Sequence, residues 1–138
     1  FEVDGIYYNI LSETDLTVEV TFKGDFYNSY SDDYTGEVVI PEKVTYNEKD
    51  YSVTEIGRDA FLDCSSLTNV SIPNSVTTIG RSAFYGCSGL TNITIPHSVK
   101  TIYGEAFYNC SNLTAVHITD LEAWCNINFY TLFTLVQS

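Results

Sequence analysis

Positive charge is scarce in this chain. Only 6 of its 138 residues are Lys or Arg, against 18 Asp and Glu, for a net charge of -12. Binding a nucleic-acid backbone requires Lys and Arg to displace counterions, so the composition argues against nucleic acid as a partner. It argues equally against an anionic membrane surface. No apolar run reaches the roughly 18 residues that a membrane-spanning helix needs. Histidine is limited to His97 and His117, neither with an obvious carboxylate partner. Asp120 is near His117 in sequence, but two groups do not make a site, and no catalytic, cofactor or metal residues are expected. The chain opens at Phe1 without Met or a signal-like segment, which fits a processed mature protein or a trimmed piece of one.

The acidic residues are unevenly spread. Residues 1–60 hold 14 acidic and 4 basic residues, and residues 61–138 hold 4 and 2. The acidic part is also rich in Tyr, Val and Ile, so it is expected to fold with a charged surface rather than to form a disordered tail.

The other half is periodic. Phe61, Cys64, Leu67, Val70 and Ile72 return as Phe84, Cys87, Leu90, Ile93 and Ile95, then as Phe107, Cys110, Leu113, Val116 and Ile118, each time after 23 residues. A fixed period of this size is the mark of a solenoid, in which each coil buries its apolar side chains only by stacking on its neighbours. Val70 and Ile72 have strand spacing as inward anchors with Leu67, and Asn69 and Ser71 point outward. Pro73 ends the strand because it cannot donate a ladder hydrogen bond. Asn74-Ser75 turns the chain, Val76 and Ile79 return it to the core, and Ser82-Ala83-Phe84-Tyr85 makes a short helical turn. Gly57 and Gly80 occupy one repeat position where the third coil has Tyr103. If that position needs positive φ, Tyr103 is strained or its turn has changed.

Residues 1–60 lack the strict period. Phe1–Ile10 reads as two short strands about an Asp4-Gly5 turn, and Asp15–Thr21 as a half-buried strand. Gly24–Gly36 reads as a loop and Glu37–Pro41 as a strand. Val44–Tyr46 and Tyr51–Val53 flank a hairpin turn. Ile40-Pro41 and Val53, Ile56, Gly57 echo the repeat, so residues 37–60 are expected to be an atypical coil. The resulting division is a β capping segment over 1–36, the atypical coil with its hairpin over 37–60, regular coils over 61–120 and a closing segment or truncated coil over 121–138. The fold class is mainly β with short helical turns.

The four cysteines are Cys64, Cys87, Cys110 and Cys125. The first three share one repeat position and are expected as a buried column of free thiols. A disulfide between neighbours is sterically allowed, since stacked coils lie about 4.8 Å apart and Cα separations of about 4.4–6.8 Å can be bridged. No two Cys are close enough in sequence to suggest zinc.

The unit Ala-Phe-x-x-Cys-x-x-Leu-x-x-Val/Ile-x-Ile-Pro-x-Ser-Val-x-x-Ile-Gly, carried by residues 57–119, resembles the BspA-like, or Treponema-type, leucine-rich repeat. Ile40-Pro41, Tyr51–Gly57 and Leu121–Asn126 look like its flanking modules, so the resemblance covers roughly residues 37–128. It implies an extracellular or surface-anchored bacterial protein of a gut or oral anaerobe such as Bacteroides, with a role in adhesion to host or microbial surface proteins. The family has no shared catalytic residues to carry over, and its binding residues are not fixed.

Solenoids bind through the outward positions of their stacked strands. Here these are Thr68, Asn69 and Ser71; Thr91, Asn92 and Thr94; Thr114, Ala115 and His117. They form a polar ladder almost without charge, suited to a protein or glycan; solvation of an ordinary β face would use the same residues. Tyr27, Tyr30, Asp32, Asp33 and Tyr34 make a second candidate patch, because exposed Tyr beside carboxylates is common at interfaces. Asp32–Glu37 lacks the ligand spacing of a calcium loop. Sequons at Asn69, Asn92, Asn109 and Asn112 follow from the Asn- and Thr-rich repeat. Trp124 and Cys125 are expected to seal or continue the last coil. Residues 128–136 are apolar, and an exposed strand there would be a route to a weak homodimer. The rival to adhesion is a spacer in a larger surface protein.

Overall fold

The computed structural model describes residues 1–24 and 34–129, and twelve strands and one helix lie within them. They are β1 (Glu2–Val3), β2 (Ile6–Ser12), β3 (Thr17–Thr21), β4 (Gly36–Val39), β5 (Lys43–Tyr46), β6 (Lys49–Ile56), β7 (Leu67–Ser71), β8 (Thr78–Ile79), β9 (Asn92–Ile95), β10 (Thr101–Ile102), β11 (Ala115–Ile118), α1 (Leu121–Cys125) and β12 (Asn128–Phe129). One sheet runs β1-β2-β3-β6-β8-β10-β12, with β5 paired to β6. The opposite wall of the solenoid is formed by the parallel pairs β4-β7 and β9-β11.

The repeat becomes architecture through register. Thr78 and Ile79 pair with Thr101 and Ile102, and Asn92–Ile95 with Ala115–Ile118, each residue opposite its equivalent one period later. The corners are bonded in the same way. Phe61 N donates to Ala83 O at 2.7 Å and Phe84 N to Ala106 O at 2.8 Å. Between the walls the phenylalanines form a continuous column. Phe61 and Phe84 are 5.0 Å apart and inclined by 3°, and Phe84 and Phe107 are 5.2 Å apart and inclined by 4°. All three rings are fully buried.

The corners also show where positive φ is needed. Asp59, Ser82 and Glu105 share one repeat position with φ of 59°, 55° and 59°. Asp63, Gly86 and Asn109 share another, with φ of 55°, 75° and 58°. Asp, Asn and Gly tolerate this region best, which accounts for most of these choices. Gly57 and Gly80 are absent from the positive-φ group. Their reason is proximity. A Cβ on Gly80 would lie 2.7 Å from Arg58 N and 2.8 Å from the Gly57 carbonyl carbon. Tyr103 is therefore not forced to positive φ, and it makes the equivalent hydrogen bond, its N–H donating to Ile79 O at 3.0 Å where Gly80 N donates to Ile56 O at 2.7 Å.

The amino-terminal part closes one end of the core. Asp4 and Gly5 both have positive φ and join β1 to β2. Asn47 and Glu48, at φ 49° and 62°, join β5 to β6, so this turn is two residues long, shorter than the four-residue connection the sequence suggests. β2 pairs antiparallel with β3, and β3 then pairs parallel with β6, which joins the cap to the stack. Glu19 lies opposite Glu55 in that pairing. Burial, and then the neighbouring Glu19 charge, push the Glu55 carboxyl above its usual range.

The other end departs from the sequence pattern. Leu113 and Val116 are only half-buried, and Ile118 is exposed, unlike Ile95 one coil earlier. Ile118 is thus not a core anchor here, because no later coil covers it among the described residues. Asp120 caps α1, its carboxylate accepting from Glu122 N at 3.0 Å and Ala123 N at 3.2 Å. Trp124 packs edge-on against Phe129 at 5.6 Å and so helps close the coil, but Cys125 points out and is exposed.

Candidate binding face

β9 alternates, with Ile93 and Ile95 inward; β7 buries Leu67 and Val70 and leaves the adjacent Thr68 and Asn69 outside; and β11 buries no side chain fully. Thr68, Asn69, Ser71, Thr91, Asn92, Thr94, Thr114 and His117 are all exposed. Within β9-β11, Asn92 stands opposite Ala115 and Thr94 opposite His117. The face is held by short internal bonds. Thr91 O accepts from Thr114 N at 2.9 Å and from Thr114 Oγ1 at 3.3 Å, and Asn92 Nδ2 donates to Thr91 Oγ1 at 3.3 Å. β7 and β9 belong to separate two-stranded ladders, so the rows of Ser71 and of Thr94 sit on adjoining but separately paired strands. All eight positions thus lie on one wall.

The wall extends one strand further than the sequence reading placed it. β4 pairs with β7, with Glu37 opposite Asn69 and Val39 opposite Ser71. Both Glu37 and Val39 are exposed. They add a carboxylate and an apolar side chain to the polar ladder. The insertion of the β5-β6 hairpin hides this strand from a search at the regular period.

Of the second candidate patch, only Tyr34 lies among the described residues. Tyr27, Tyr30, Asp32 and Asp33 lie outside the described residues. Tyr34 is buried, so it is not an exposed interface residue. Its hydroxyl donates to Thr21 O at 2.6 Å and accepts from Tyr7 N at 3.0 Å. Its ring lies 4.6 Å from Phe61 and so heads the phenylalanine column. A Tyr ring is amphipathic, and here the fold uses its apolar body in the core and its polar tip to tie the cap to the stack.

The cysteine column lies inside the stack. Cys87 Sγ donates to Phe61 O at 3.1 Å and Cys110 Sγ to Phe84 O at 3.0 Å. Burial beside the other thiols of the column holds the Cys87 thiol above the usual thiol range, which suits an inert core group. Among the described residues, no group of three or more His, Cys, Asp or Glu is placed to hold a metal ion. No helix among them is long and apolar enough to cross a membrane.

A model of the BspA type leucine rich repeat region matches residues 27–135 in six copies. This chain belongs to the BspA-type leucine-rich repeat family. Solved structures of bacterial leucine-rich repeat proteins are similar to it. A leucine rich cell surface protein from Faecalibacterium prausnitzii is 30% identical over 86% of this chain and 31% of its own, with a TM-score of 0.67. A leucine-rich repeat protein from Bacteroides capillosus is 26% identical over 100% of this chain and 97% of its own, with a TM-score of 0.69. The leucine rich repeat protein of T. pallidum is 28% identical over 84% of this chain and 48% of its own, with a TM-score of 0.65. This BspA-type chain thus spans less than a third of the Faecalibacterium protein and nearly all of the Bacteroides one. Comparison with curated protein sequences finds no match.

Proposed function

We propose that this chain is a non-enzymatic binding module of a secreted or surface-anchored protein, which adheres to a host or microbial protein or glycan through the outward wall of β7, β9 and β11. The observation that supports it is the exposure, on one wall, of eight short polar side chains from successive coils. Thr, Asn, Ser and His offer donors and acceptors on rigid strands, so little side-chain entropy is lost when a partner docks. Similarity to a described cell surface protein supports the extracellular setting.

The test is capture of matrix proteins and of arrayed glycans by the immobilised chain. Replacing Asn69, Asn92 and His117 together by Ala is expected to weaken saturable capture by at least about tenfold, since each lost hydrogen bond contributes about 0.5–1.5 kcal/mol. The unfolding midpoint should not move, because all three side chains are exposed. Capture that is unchanged in the triple variant contradicts the assignment of this wall. A chain inert to every protein and glycan contradicts adhesion and leaves the spacer role.

A further inference from the structure

Beside the outward wall, the open edge of β4 borders a groove that the proposed adhesion does not use. In the parallel pairing with β7, Gly36 N donates to Ser66 O at 2.9 Å and Ile40 N to Ser71 O at 3.1 Å. Alternation along a strand then turns the backbone N–H and C=O of Glu37 and Val39 away from β7. Among the described residues β4 has no second neighbour. A strand edge of this kind is a template for pairing with another chain.

The space along that edge is shaped and polar at chosen points. One hollow of about 300 Å³ lies between the Asp4-Gly5 turn and Glu37–Val39. A second of about 400 Å³ continues from Val39 and Asp4 to Val3, Tyr8 and Val44. Val39 is 61% exposed at their junction. Tyr8 is 1% exposed, and its buried hydroxyl has no hydrogen-bond partner among the described residues. A buried hydroxyl left unpaired is costly, so its place on the wall of a groove points to a ligand that would satisfy it. Two carboxylates, Asp4 and Glu37, line the first hollow, and among the described residues no cationic side chain lines it with them; Lys43 lines the second.

We propose that the β4 edge is a strand-addition site that accepts an extended segment of a partner protein carrying a Lys or Arg. The segment pairs with the free N–H and C=O groups of Glu37 and Val39. Its cationic residue lies between Asp4 and Glu37, and an alternate apolar residue meets Val3, Val39 and Val44. Its backbone or a polar side chain completes the hydrogen bonding of Tyr8. This is peptide recognition by β-augmentation, in which main-chain bonds supply affinity and the flanking hollows supply selectivity.

The test uses the whole chain against an array of seven-residue peptides that alternate Thr with Val, Ile or Tyr and carry Lys, Ser or Glu at the centre. Retention is expected in the order Lys, Ser, Glu. Glu37→Lys should weaken the Lys peptides by about fivefold and reverse the order towards Glu. Tyr8→Phe is the sharper variant. It removes an unpaired buried hydroxyl, so the folded chain should be as stable as the parent or more so, while peptide retention falls by about tenfold. Slowed hydrogen exchange at the Glu37 and Val39 amides should accompany binding. The proposal is overturned by failure to retain any peptide, by retention indifferent to the central residue, or by retention untouched in both variants. Concentration-dependent protection of the two amides without peptide would mean that a second copy of the chain takes the edge, and would overturn it too.

Discussion

Replacing Phe84 by Ala is expected to lower the free energy of unfolding by about 3–5 kcal/mol, as measured by urea titration. Phe84 is the middle ring of the column, sandwiched between Phe61 and Phe107 and fully buried. Truncation leaves a void between two coils whose corners are tied together, since Phe61 N is bonded to Ala83 O and Phe84 N to Ala106 O. The walls therefore cannot collapse into the gap without breaking bonds between coils. Nearest-neighbour coupling makes the middle position the most sensitive, because both of its interfaces are lost together. A loss below about 1 kcal/mol would mean that the ring does not fill the space between coils.

Gly80→Ala is expected to destabilise the chain by about 1–3 kcal/mol, the usual range for overpacking a tight site. The added methyl group would meet Arg58 N at 2.7 Å, the Gly57 carbonyl carbon at 2.8 Å and Ile56 O at 2.9 Å. All three are backbone atoms of the preceding coil, so no side chain can rotate away. The same change at Gly57 meets Glu19 side-chain atoms at 2.7 Å as well as Val20 O at 2.9 Å, and the side chain can swing aside. Gly80→Ala should therefore be the more harmful of the two. Equal tolerance of both substitutions in a urea titration would show that the distance between coils is not set at this glycine.

The contrast between periodic and aperiodic residues explains how much of the fold was legible in the sequence. Phe61, Phe84 and Phe107, the cysteine column and the outward Thr and Asn positions recur at one interval, and the parallel register follows from that interval alone. Gly57 and Gly80 were recognisable as special, but the reason was hidden. A glycine needed for close approach and one needed for positive φ look alike in a sequence, and here positive φ falls on Asp59, Ser82 and Glu105. Tyr34 was hidden for another reason. It lies 27 residues before Phe61, neither the regular 23 nor the 32 to which the hairpin of β5 and β6 stretches the spacing of the paired residues Glu37 and Asn69. Its aromatic character suggested an exposed contact residue, when the ring in fact heads the buried column. The same lengthening concealed β4 as a member of the outward wall, and with it Glu37 and Val39. At the far end, the repeat pattern continues through Ile118 although the environment does not, since burial depends on a coil that follows and not on the residue itself.

Disulfide trapping across β9 and β11 tests the stacking most directly. Thr94 and His117 are exposed, directly opposed residues of parallel strands, and such neighbours are about 4.8 Å apart, within the reach of a disulfide. In a chain whose exposed Cys125 is replaced by Ser, the pair Thr94→Cys and His117→Cys is expected to cross-link on mild oxidation. The offset pair Asn92→Cys and His117→Cys should remain reduced. Cross-linking of the offset pair at an equal or greater rate would contradict the alignment of successive coils.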